Sequence, residues 1–398
     1  MVQIWRVGLS LMIAVILFGV VGAQEPEPTQ PRPLLMSAVQ DEQFITGLDL
    51  YRANGSTWEA VTTDGYKGGF RLSPTGFIMT YRSMPEAVRT AVADGAGWLA
   101  GAVWDLQLLD LTTDKSRPIA AQPPTFAVTD DGQITDGVTR SRPVWSPEGT
   151  ALAWTEQDYP ASGGTARLLT YDLVTGETRV LDESLPQVTM SANGLPTDLA
   201  WGHTGLVVFT NDPDSGVETL RFYDPNTGMQ QSISVSGEPW RPVSGLLWVN
   251  TGDAGEQVIV QAGPWLWWRV NPATAEVNRF CGALEGVCSA APDESLRLIW
   301  DTALAQSDGE WRIVAPDGAE VVAFDASRPL QYAPPTLGVV LSPDGSRAAY
   351  PEAEAITAYD MGEFTTVDVP AGLSNIQLYW GWAEWRSNAP TDLSCAVG

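Results

Sequence analysis

One short pattern recurs along this chain of 398 residues: an apolar strand, a tight turn rich in Pro and Gly, and a second apolar strand. Its clearest copies lie at residues 144–149 (Val-Trp-Ser-Pro-Glu-Gly) and 340–345 (Val-Leu-Ser-Pro-Asp-Gly), and more divergent copies lie at 70–76, 199–205 and 290–294. Each unit of such a repeat has an apolar sheet face that only a neighbouring unit can bury. The repetition therefore predicts an all-β fold built from similar, stacked units.

A second hairpin follows most of the Pro/Gly turns. Asp opens its turn and Gly closes it, as in 172–176 and 224–228. The Asp side chain can accept hydrogen bonds from the backbone of its own turn, and Gly adopts positive φ without strain. We therefore predict four strands per unit, labelled a to d, with a Pro/Gly turn between a and b and an Asp/Gly turn between c and d. The only histidine, His203, takes the Pro position of one a–b turn, and we interpret it as a turn residue.

The length of these units is that of a four-stranded blade of a β-propeller. Six units follow one another, at residues 70–120, 144–182, 199–235, 246–280, 287–324 and 338–369. The segment 48–61 is typical of a c–d hairpin and the segment 376–385 of an a–b pair, and together they would form one more blade. We predict a single propeller over residues 44–398 with seven blades, closed by N- and C-terminal strands that share one blade. Six blades is the alternative, if the degenerate unit around Ala290 is an insertion.

The Trp145–Gly149 motif, with Tyr171-Asp172 and Thr175-Gly176 downstream, resembles the TolB-type WD-repeat-like β-propeller, and Leu341–Gly345 is a second match. The resemblance covers roughly residues 45–386. It implies the propeller fold without one activity, since such propellers occur in envelope scaffolds, peptidase gating domains and lyases. TolB proteins carry an α/β domain before the propeller, whereas here the predicted tether leads almost directly into strand. Peptidases with this propeller carry a Gly-x-Ser-x-Gly elbow, which this sequence lacks.

The N-terminus has the pattern of a targeting segment. Arg6 precedes an uncharged apolar run, Val7 to Val21, which ends in small residues before Gln24. This pattern predicts a signal peptide over residues 1–23, with an uncleaved membrane anchor as the alternative. The Pro-rich residues 24–43 follow as an extended tether. We expect a secreted or periplasmic protein that is held at a membrane only if the N-terminal segment is retained.

The charge of the chain limits its partners. With 22 basic and 48 acidic residues the net charge is −26, which repels nucleic acids and anionic membrane surfaces. We interpret the acidity as a source of solubility, with cation binding or a basic partner as the alternative. We expect a monomer that binds no nucleic acid.

Three cysteines and several acidic loops are the candidates for covalent or metal chemistry. Cys281 and Cys288 lie at the end of one predicted strand and the start of the next, and export favours a disulfide between them. Cys395 would then remain free or bridge elsewhere. No cofactor is expected, and the weak calcium candidates lack the spacing of an EF-hand loop. These calcium candidates are Asp130, Asp136, Asp212 and Asp214.

The irregular segments of the sequence indicate where a ligand would bind. The a–b and c–d turns of a propeller share one face, here called the turn face. The b–c loops and d–a connections share the other, here called the loop face. The long irregular segments 83–99, 121–142, 157–166 and 183–198 all belong to the loop face, where binding residues usually reside. A short helix is predicted at 86–92. Candidate ligand contacts are Trp98, Glu156, Asp158, Tyr159 and Trp240.

These observations favour a binding module over an enzyme. No serine–histidine triad, phosphate loop, dinucleotide fingerprint or metal motif is present in the sequence. The main hypothesis is a non-enzymatic, extracytoplasmic propeller that binds a protein, a peptide or a glycan of the cell envelope. The alternative is a carbohydrate-active hydrolase or lyase that uses carboxylates near the central channel.

Overall fold

Thirty β-strands and one α-helix make up the part of the chain that the computed structural model describes. All of it belongs to one unit, residues 32–398. The described residues are 34–40, 48–94, 103–129, 132–159, 165–186, 197–211, 217–234, 243–250, 256–262, 266–282, 286–290, 297–301, 310–314, 320–325, 340–341, 347–352, 355–360 and 363–379.

The described strands pair antiparallel in seven sheets, here called A to G. Sheet A contains β1 (Leu35–Gln40), β2 (Asp49–Asn54), β3 (Thr57–Ala60) and β30 (Leu373–Tyr379) in the order β3-β2-β1-β30. Sheet B contains β4 (Lys67–Leu72), β5 (Ile78–Ser83), β6 (Asp105–Asp110) and β7 (Lys115–Ala120). Sheet C contains β8 (Ala127–Val128), β9 (Ile134–Arg140), β10 (Val144–Trp145), β11 (Ala151–Tyr159), β12 (Ala166–Asp172) and β13 (Thr178–Leu185).

The remaining four sheets contain four strands each, in sequence order. Sheet D contains β14 (Leu199–Gly202), β15 (Gly205–Asn211), β16 (Glu218–Asp224) and β17 (Gly228–Ser234). Sheet E contains β18 (Val243–Asn250), β19 (Glu256–Ala262), β20 (Leu266–Asn271) and β21 (Glu276–Gly282). Sheet F contains β22 (Gly286–Ala290), β23 (Arg297–Asp301), β24 (Glu310–Val314) and β25 (Glu320–Asp325). Sheet G contains β26 (Val340–Leu341), β27 (Arg347–Glu352), β28 (Ala355–Asp360) and β29 (Glu363–Asp368).

The antiparallel all-β architecture agrees with the predicted propeller. Each of the six predicted units forms a sheet of its own, and the degenerate unit around Ala290 does so as sheet F. The helix α1 (Glu86–Ala93) lies between β5 and β6, where a short helix was predicted. Among the described residues no helix has the length and apolar character needed to cross a membrane, since α1 has only 8 residues.

The turn chemistry matches the sequence pattern. Oδ1 of Asp172 accepts hydrogen bonds from the backbone N–H groups of Val174 and Thr175, at 2.8 and 2.7 Å. These bonds lower the pKa of Asp172, and Gly176 closes the turn with a φ of +72°. In the a–b turn of sheet C, Oγ of Ser146 accepts from the next strand's N–H groups, and Gly149 has a φ of +70°. Local side-chain bonds and positive φ thus define the hairpins.

The apolar core lies between successive sheets. Leu106 and Leu108 of sheet B pack with Leu152 and Trp154 of sheet C. Sheet C packs on sheet D, and sheet D on sheet E, through clusters of the same kind. Sheet A packs on sheet B and also on sheet G, where Met36 meets buried apolar side chains of β27 and β28. Each of these sheets therefore buries its apolar faces against its neighbours, as the repeat requires.

The a–b turns of successive sheets also touch. A Cβ on Gly149 of sheet C would lie 3.2 Å from Cγ2 of Thr75 in the a–b turn of sheet B. Nδ1 of His203, in the turn of sheet D, lies 3.0 Å from Oε1 of Glu148 in sheet C. The backbone N–H of His203 donates to Glu256 of sheet E at 2.9 Å. The prediction that His203 is a turn residue is confirmed, and its turn bridges three sheets.

The boundary of the predicted tether is wrong. Strand β1 begins at Leu35, inside the range 24–43, because its apolar side chains are buried in sheet A. Among the described residues the N-terminal part supplies three strands of that sheet and the C-terminal part supplies β30, where two strands from each end were expected. The predicted signal peptide lies outside the described residues.

Two segments predicted to be irregular contain strands. In the segment 121–142, β8 pairs with β9, and β9 pairs with the end of β11. Strand β11 itself continues to Tyr159, into the segment 157–166. The physical reason is that the last residues of β11 find backbone partners in β9, from Glu156 opposite Arg140 to Tyr159 opposite Gly137.

Gly205 supports a test of the a–b turn geometry. Its φ is +147°, and a Cβ there would lie 2.4 Å from the backbone oxygen of Tyr223 on β16. Gly55 has a φ of +62° and no atom within 4 Å of an added Cβ, so it is a control for backbone strain alone. We expect Gly205→Ala to lower the free energy of unfolding by about 2 kcal/mol more than Gly55→Ala, for which we expect about 1 kcal/mol. Urea unfolding measures both, and equal losses would contradict the close approach of β16.

Candidate functional site

Ordered elements occupy the loop-face end of sheets B and C. Helix α1 is the b–c connection of sheet B, between β5 and β6. Strands β8 and β9 form the d–a connection between β7 and β10, so all three elements lie on the loop face. Their apolar side chains share one buried cluster, which contains Val88 of α1, Trp104 before β6 and Ile134 of β9. This packing joins α1, β8 and β9 into a rigid platform on the loop face. The turn face of the same sheets has only tight turns.

An ion network, buried at Lys67 and Asp49 and exposed at Asp64, links helix α1 to the connection between sheets A and B. Lys67 is 7% exposed and donates to the carbonyl of Gly65 and to Asp64, while its Nζ lies 3.6 Å from Oδ1 of Asp49. Arg89 of α1 bonds the other oxygen of Asp64 at 2.8 Å. Burial raises the pKa of Asp64, but the bond and charge of Lys67 and the charge of Arg89 outweigh it, so that the pKa is lowered. The helix is therefore held electrostatically as well as by packing.

Glu156, a predicted ligand contact, is bound within the protein. Its Oε2 accepts from Nε of Arg140 at 3.0 Å, and its Oε1 lies 3.1 Å from Nη2 of Arg167. Arg140 is 5% exposed and also donates to the carbonyls of Trp104 and Ala121, each at 2.9 Å. Glu156 therefore fixes the platform to sheet C and is not presented to a ligand.

Asp158 and Tyr159 differ from each other in exposure. Asp158 is 78% exposed and bonds Arg167 at 2.9 Å, so it remains accessible at the loop face. Tyr159 is half-buried and packs against the cluster that contains Val88 and Trp104. The structure thus brings Glu156 and Asp158 together through Arg167 and places Tyr159, half-buried, against the cluster.

The other predicted site residues either lie outside the described part of the chain or do not form a site within it. Among the described residues no group of three or more His, Cys, Asp or Glu could hold a metal ion. Asp136, a calcium candidate, is exposed on β9. The backbone places Cys281 on β21 and Cys288 on β22, in consecutive sheets, and their predicted disulfide stays a prediction. Outside the described residues lie Trp98, Asp130, Asp212, Asp214, Trp240 and Cys395.

Three arginines that no sequence motif marks lie close together where β4 and β5 of sheet B adjoin the β9–β10 link of sheet C. Arg71 is on β4, Arg82 is on β5, and Arg142 links β9 to β10. The guanidinium carbon of Arg82 lies 5.0 Å from the centre of the Trp104 ring, a cation–π contact. Burial and then the charges of Arg142 and Arg71 lower the pKa of Arg82 to about 9, which leaves it positively charged at neutral pH. A positive cluster thus adjoins the platform in an otherwise acidic protein.

One carboxyl group at the loop-face end has a strongly altered acidity. Asp198 precedes β14, the edge strand of sheet D, and is half-buried. Burial raises its pKa to about 6. A carboxyl group that titrates near neutral pH is common at functional sites, although structural burial produces it as well. No sequence motif marks Asp198, because its burial depends on neighbouring strands.

The sequence matches no protein-family model and no curated protein. Among solved structures, the chain is similar to TolB from Acinetobacter baumannii, with 12% identity over 87% of this chain and 66% of that chain and a TM-score of 0.38. It is similar to oligogalacturonate lyase from Vibrio parahaemolyticus, with 15% identity, 85% and 87% coverage and a TM-score of 0.44. The β-propeller domain of the Trilobed protease from Pyrococcus furiosus gives 11% identity, 77% and 83% coverage and a TM-score of 0.43. These sequence identities and TM-scores are too low to indicate an activity for this chain.

The Arg140 network supports a stability prediction. Arg140→Met would leave Glu156 and two carbonyls without their buried donor, and we expect a loss of about 3 kcal/mol in the free energy of unfolding. Arg167→Met removes a half-exposed partner of the same Glu156, and we expect a loss below about 1 kcal/mol. Urea unfolding compares the two variants. Similar small losses would show that the platform does not depend on Arg140.

The raised pKa of Asp198 predicts a pH-dependent stability. The unfolded carboxyl group titrates near 3.9, so between about pH 4 and 6 the folded protein holds a proton that the unfolded chain has lost. The free energy of unfolding should therefore fall as pH rises through this window. Asp198→Asn should remove this fall and be more stable above pH 6 by about 1–2 kcal/mol, allowing for partial exposure. Unfolding curves from pH 4 to 8 measure it, with the exposed Asp136→Asn as control. An identical slope in wild type and Asp198→Asn would contradict the assignment.

Proposed function

We propose that this protein is an extracytoplasmic β-propeller that acts as a binding module for a protein, a peptide or an envelope glycan. The observation that carries the proposal is the difference between the two ends of sheets B and C. One end has tight turns, while the other has a helix, whose Arg89 pairs with Asp64, and an added strand pair that the buried Arg140 ties to Glu156 of β11. Binding sites are commonly built on such additions to a rigid scaffold.

We further propose a ring of seven blades closed by sheet A. Two observations support it: sheet A takes strands from both chain ends, and it packs on sheet B and on sheet G. A closed ring leaves no long exposed sheet edge, which is consistent with a monomer. The apolar segment before Gln24 supports export to the periplasm or beyond, and the net charge of −26 disfavours nucleic-acid partners.

A hydrolase or lyase acting on carbohydrate is the second candidate, and Asp198 is the observation that favours it. A pKa of about 6 suits a general acid. Such an enzyme also needs a second carboxylate close to the first. Glu156, a carboxylate predicted as a ligand contact, is engaged by Arg140 and Arg167, so the binding module is the better supported function.

A pair of exposed positions tests which face binds. Ala87 lies on the exposed side of α1, and Val174, 84% exposed, lies in a c–d turn at the opposite end of sheet C. We expect Ala87→Arg to reduce capture of partners from the host's extracytoplasmic fraction at least about fivefold, because the larger cation obstructs the platform. Val174→Arg should leave capture unchanged. Both variants should keep the wild-type melting temperature.

Quantitative mass spectrometry of the captured material measures the effect. Equal losses in the two variants, or a loss only in Val174→Arg, would contradict a binding site on the loop face.

A further inference from the structure

The three arginines come from the inner edges of two sheets. Strand β4, which carries Arg71, is the edge strand of sheet B, and the link that carries Arg142 lies along the edge of sheet C. Tyr379 of β30, the edge strand of sheet A, lies near enough that the charges of Arg71 and Arg142 act on its pKa. Sheets A, B and C thus each contribute a residue to one place, where the edges of the three sheets meet.

Arg82 and Arg142 meet over the backbone of Gly69. A Cβ on Gly69 would lie 2.9 Å from Cγ of Arg142 and 3.1 Å from Nε of Arg82. Gly69 has a φ of +63°, in the region that favours glycine. Any side chain here would displace one of the two arginines, so the glycine permits their close approach.

These two arginines have no acidic partner within the described chain. The side chain of Arg142 is exposed and takes part in no ion pair or hydrogen bond there. Arg82 makes one hydrogen bond in the described part, to the carbonyl of Arg140 at 3.5 Å, and its buried Nε has no acceptor. Among the described residues, the charges that act on the pKa of Arg82 are the positive ones of Arg142 and Arg71.

This arrangement is unexpected for a chain with 48 acidic and 22 basic residues, in which an acidic partner is easily supplied. Arg52, Arg140 and Arg167 all have one. Clustered like charges destabilise the free protein unless an anion neutralises them. The buried Nε of Arg82 also lacks the acceptor that buried polar groups normally have.

We propose that Arg82 and Arg142, beside Arg71, form a binding site for a carboxylate group of a peptide ligand. The guanidinium is planar and donates two parallel hydrogen bonds to a carboxylate, which gives both affinity and orientation. The inference rests on the proposed binding function and specifies the chemistry of the ligand. The carboxylate can be an acidic side chain or a free C-terminus.

Two observations favour a peptide over an acidic polysaccharide. The overall charge of −26 repels a polyanion along its whole length, whereas a ligand with one carboxylate meets only the local positive cluster. Sugar binding also needs an exposed aromatic face. In the described part of the site Trp104 is 9% exposed and lies against Arg82, and Tyr159 is half-buried against the same cluster.

Isothermal titration calorimetry of the full mature chain tests the proposal with defined probes. The probes are acetyl-Ala-Ala-Glu-Ala-amide, its neutral Gln counterpart, and acetyl-Ala-Ala-Ala with a free C-terminus. We expect one or both carboxylate peptides to bind and the Gln peptide not to bind. The two carboxylate probes distinguish a side-chain source from a C-terminal source.

Three variants assign the binding to the arginines. Arg142→Gln should weaken binding at least about tenfold. Arg82→Lys keeps the charge but loses the planar fork, and should weaken binding about fivefold or more. Arg179→Gln, at an exposed position on β13, changes the net charge equally and should weaken binding less than twofold.

Several outcomes would overturn the proposal. These are an absence of binding by both carboxylate peptides, equal weakening by Arg142→Gln and Arg179→Gln, or binding of glucuronic acid when neither peptide binds. If Ala87→Arg still blocks partner capture while the peptides do not bind, only the carboxylate site fails. If capture is also indifferent to Ala87→Arg, the proposed function fails as well.

Discussion

Burial of sheet faces between neighbouring sheets is the constraint on which this structure depends. A four-stranded antiparallel sheet is too small to bury its own apolar residues, and here each core cluster combines side chains of two successive sheets. Leu168 of sheet C, for example, is fully buried in the cluster that also holds Val208 of sheet D. The sheets are thereby aligned, which lets the turn that contains His203 contact Glu148 in the turn of sheet C and Glu256 on β19 of sheet E.

The same alignment creates the candidate site. Residues on edge strands of different sheets become neighbours although they are far apart in sequence, as Arg71, Arg142 and Tyr379 are. The loop-face segments are not part of the a–b and c–d turns. The chain can therefore form α1 and the β8–β9 pair there without disturbing those turns. The buried Arg140 of β9 then pairs with Glu156 of β11, and Arg89 of α1 pairs with the exposed Asp64, which Lys67 also contacts. The site therefore combines these additions with arginines on the scaffold strands β4 and β5.

The sequence predicts those features that depend on local chemistry. Asp172 and Gly176 mark a turn because both act on the backbone within that turn, and the helix at Glu86–Ala93 follows from a local pattern. Features that depend on pairing with strands outside the local segment do not follow from the sequence pattern. Strand β1 follows a Pro-rich segment and was assigned to the tether, and β9 is stabilised by pairing with the end of β11.

The site shows the same limit. Glu156 was selected as a free carboxylate, but its pairing with Arg140 depends on the register of β9 against β11. The arginine cluster depends on contacts over Gly69 between sheets B and C. A repeat period shows which residues hold equivalent positions, but it does not show which side chains of adjacent units meet.

Hydrogen–deuterium exchange of the full mature chain, with and without acetyl-Ala-Ala-Glu-Ala-amide, tests most directly whether the ligand binds at the inner edge of sheets B and C. The account predicts slower exchange in β5 and in residues 140–145 when the peptide is bound, and unchanged exchange in the c–d turn at 173–176. Protection confined to the turn face, or peptide binding with no change near Arg82 and Arg142, would contradict it.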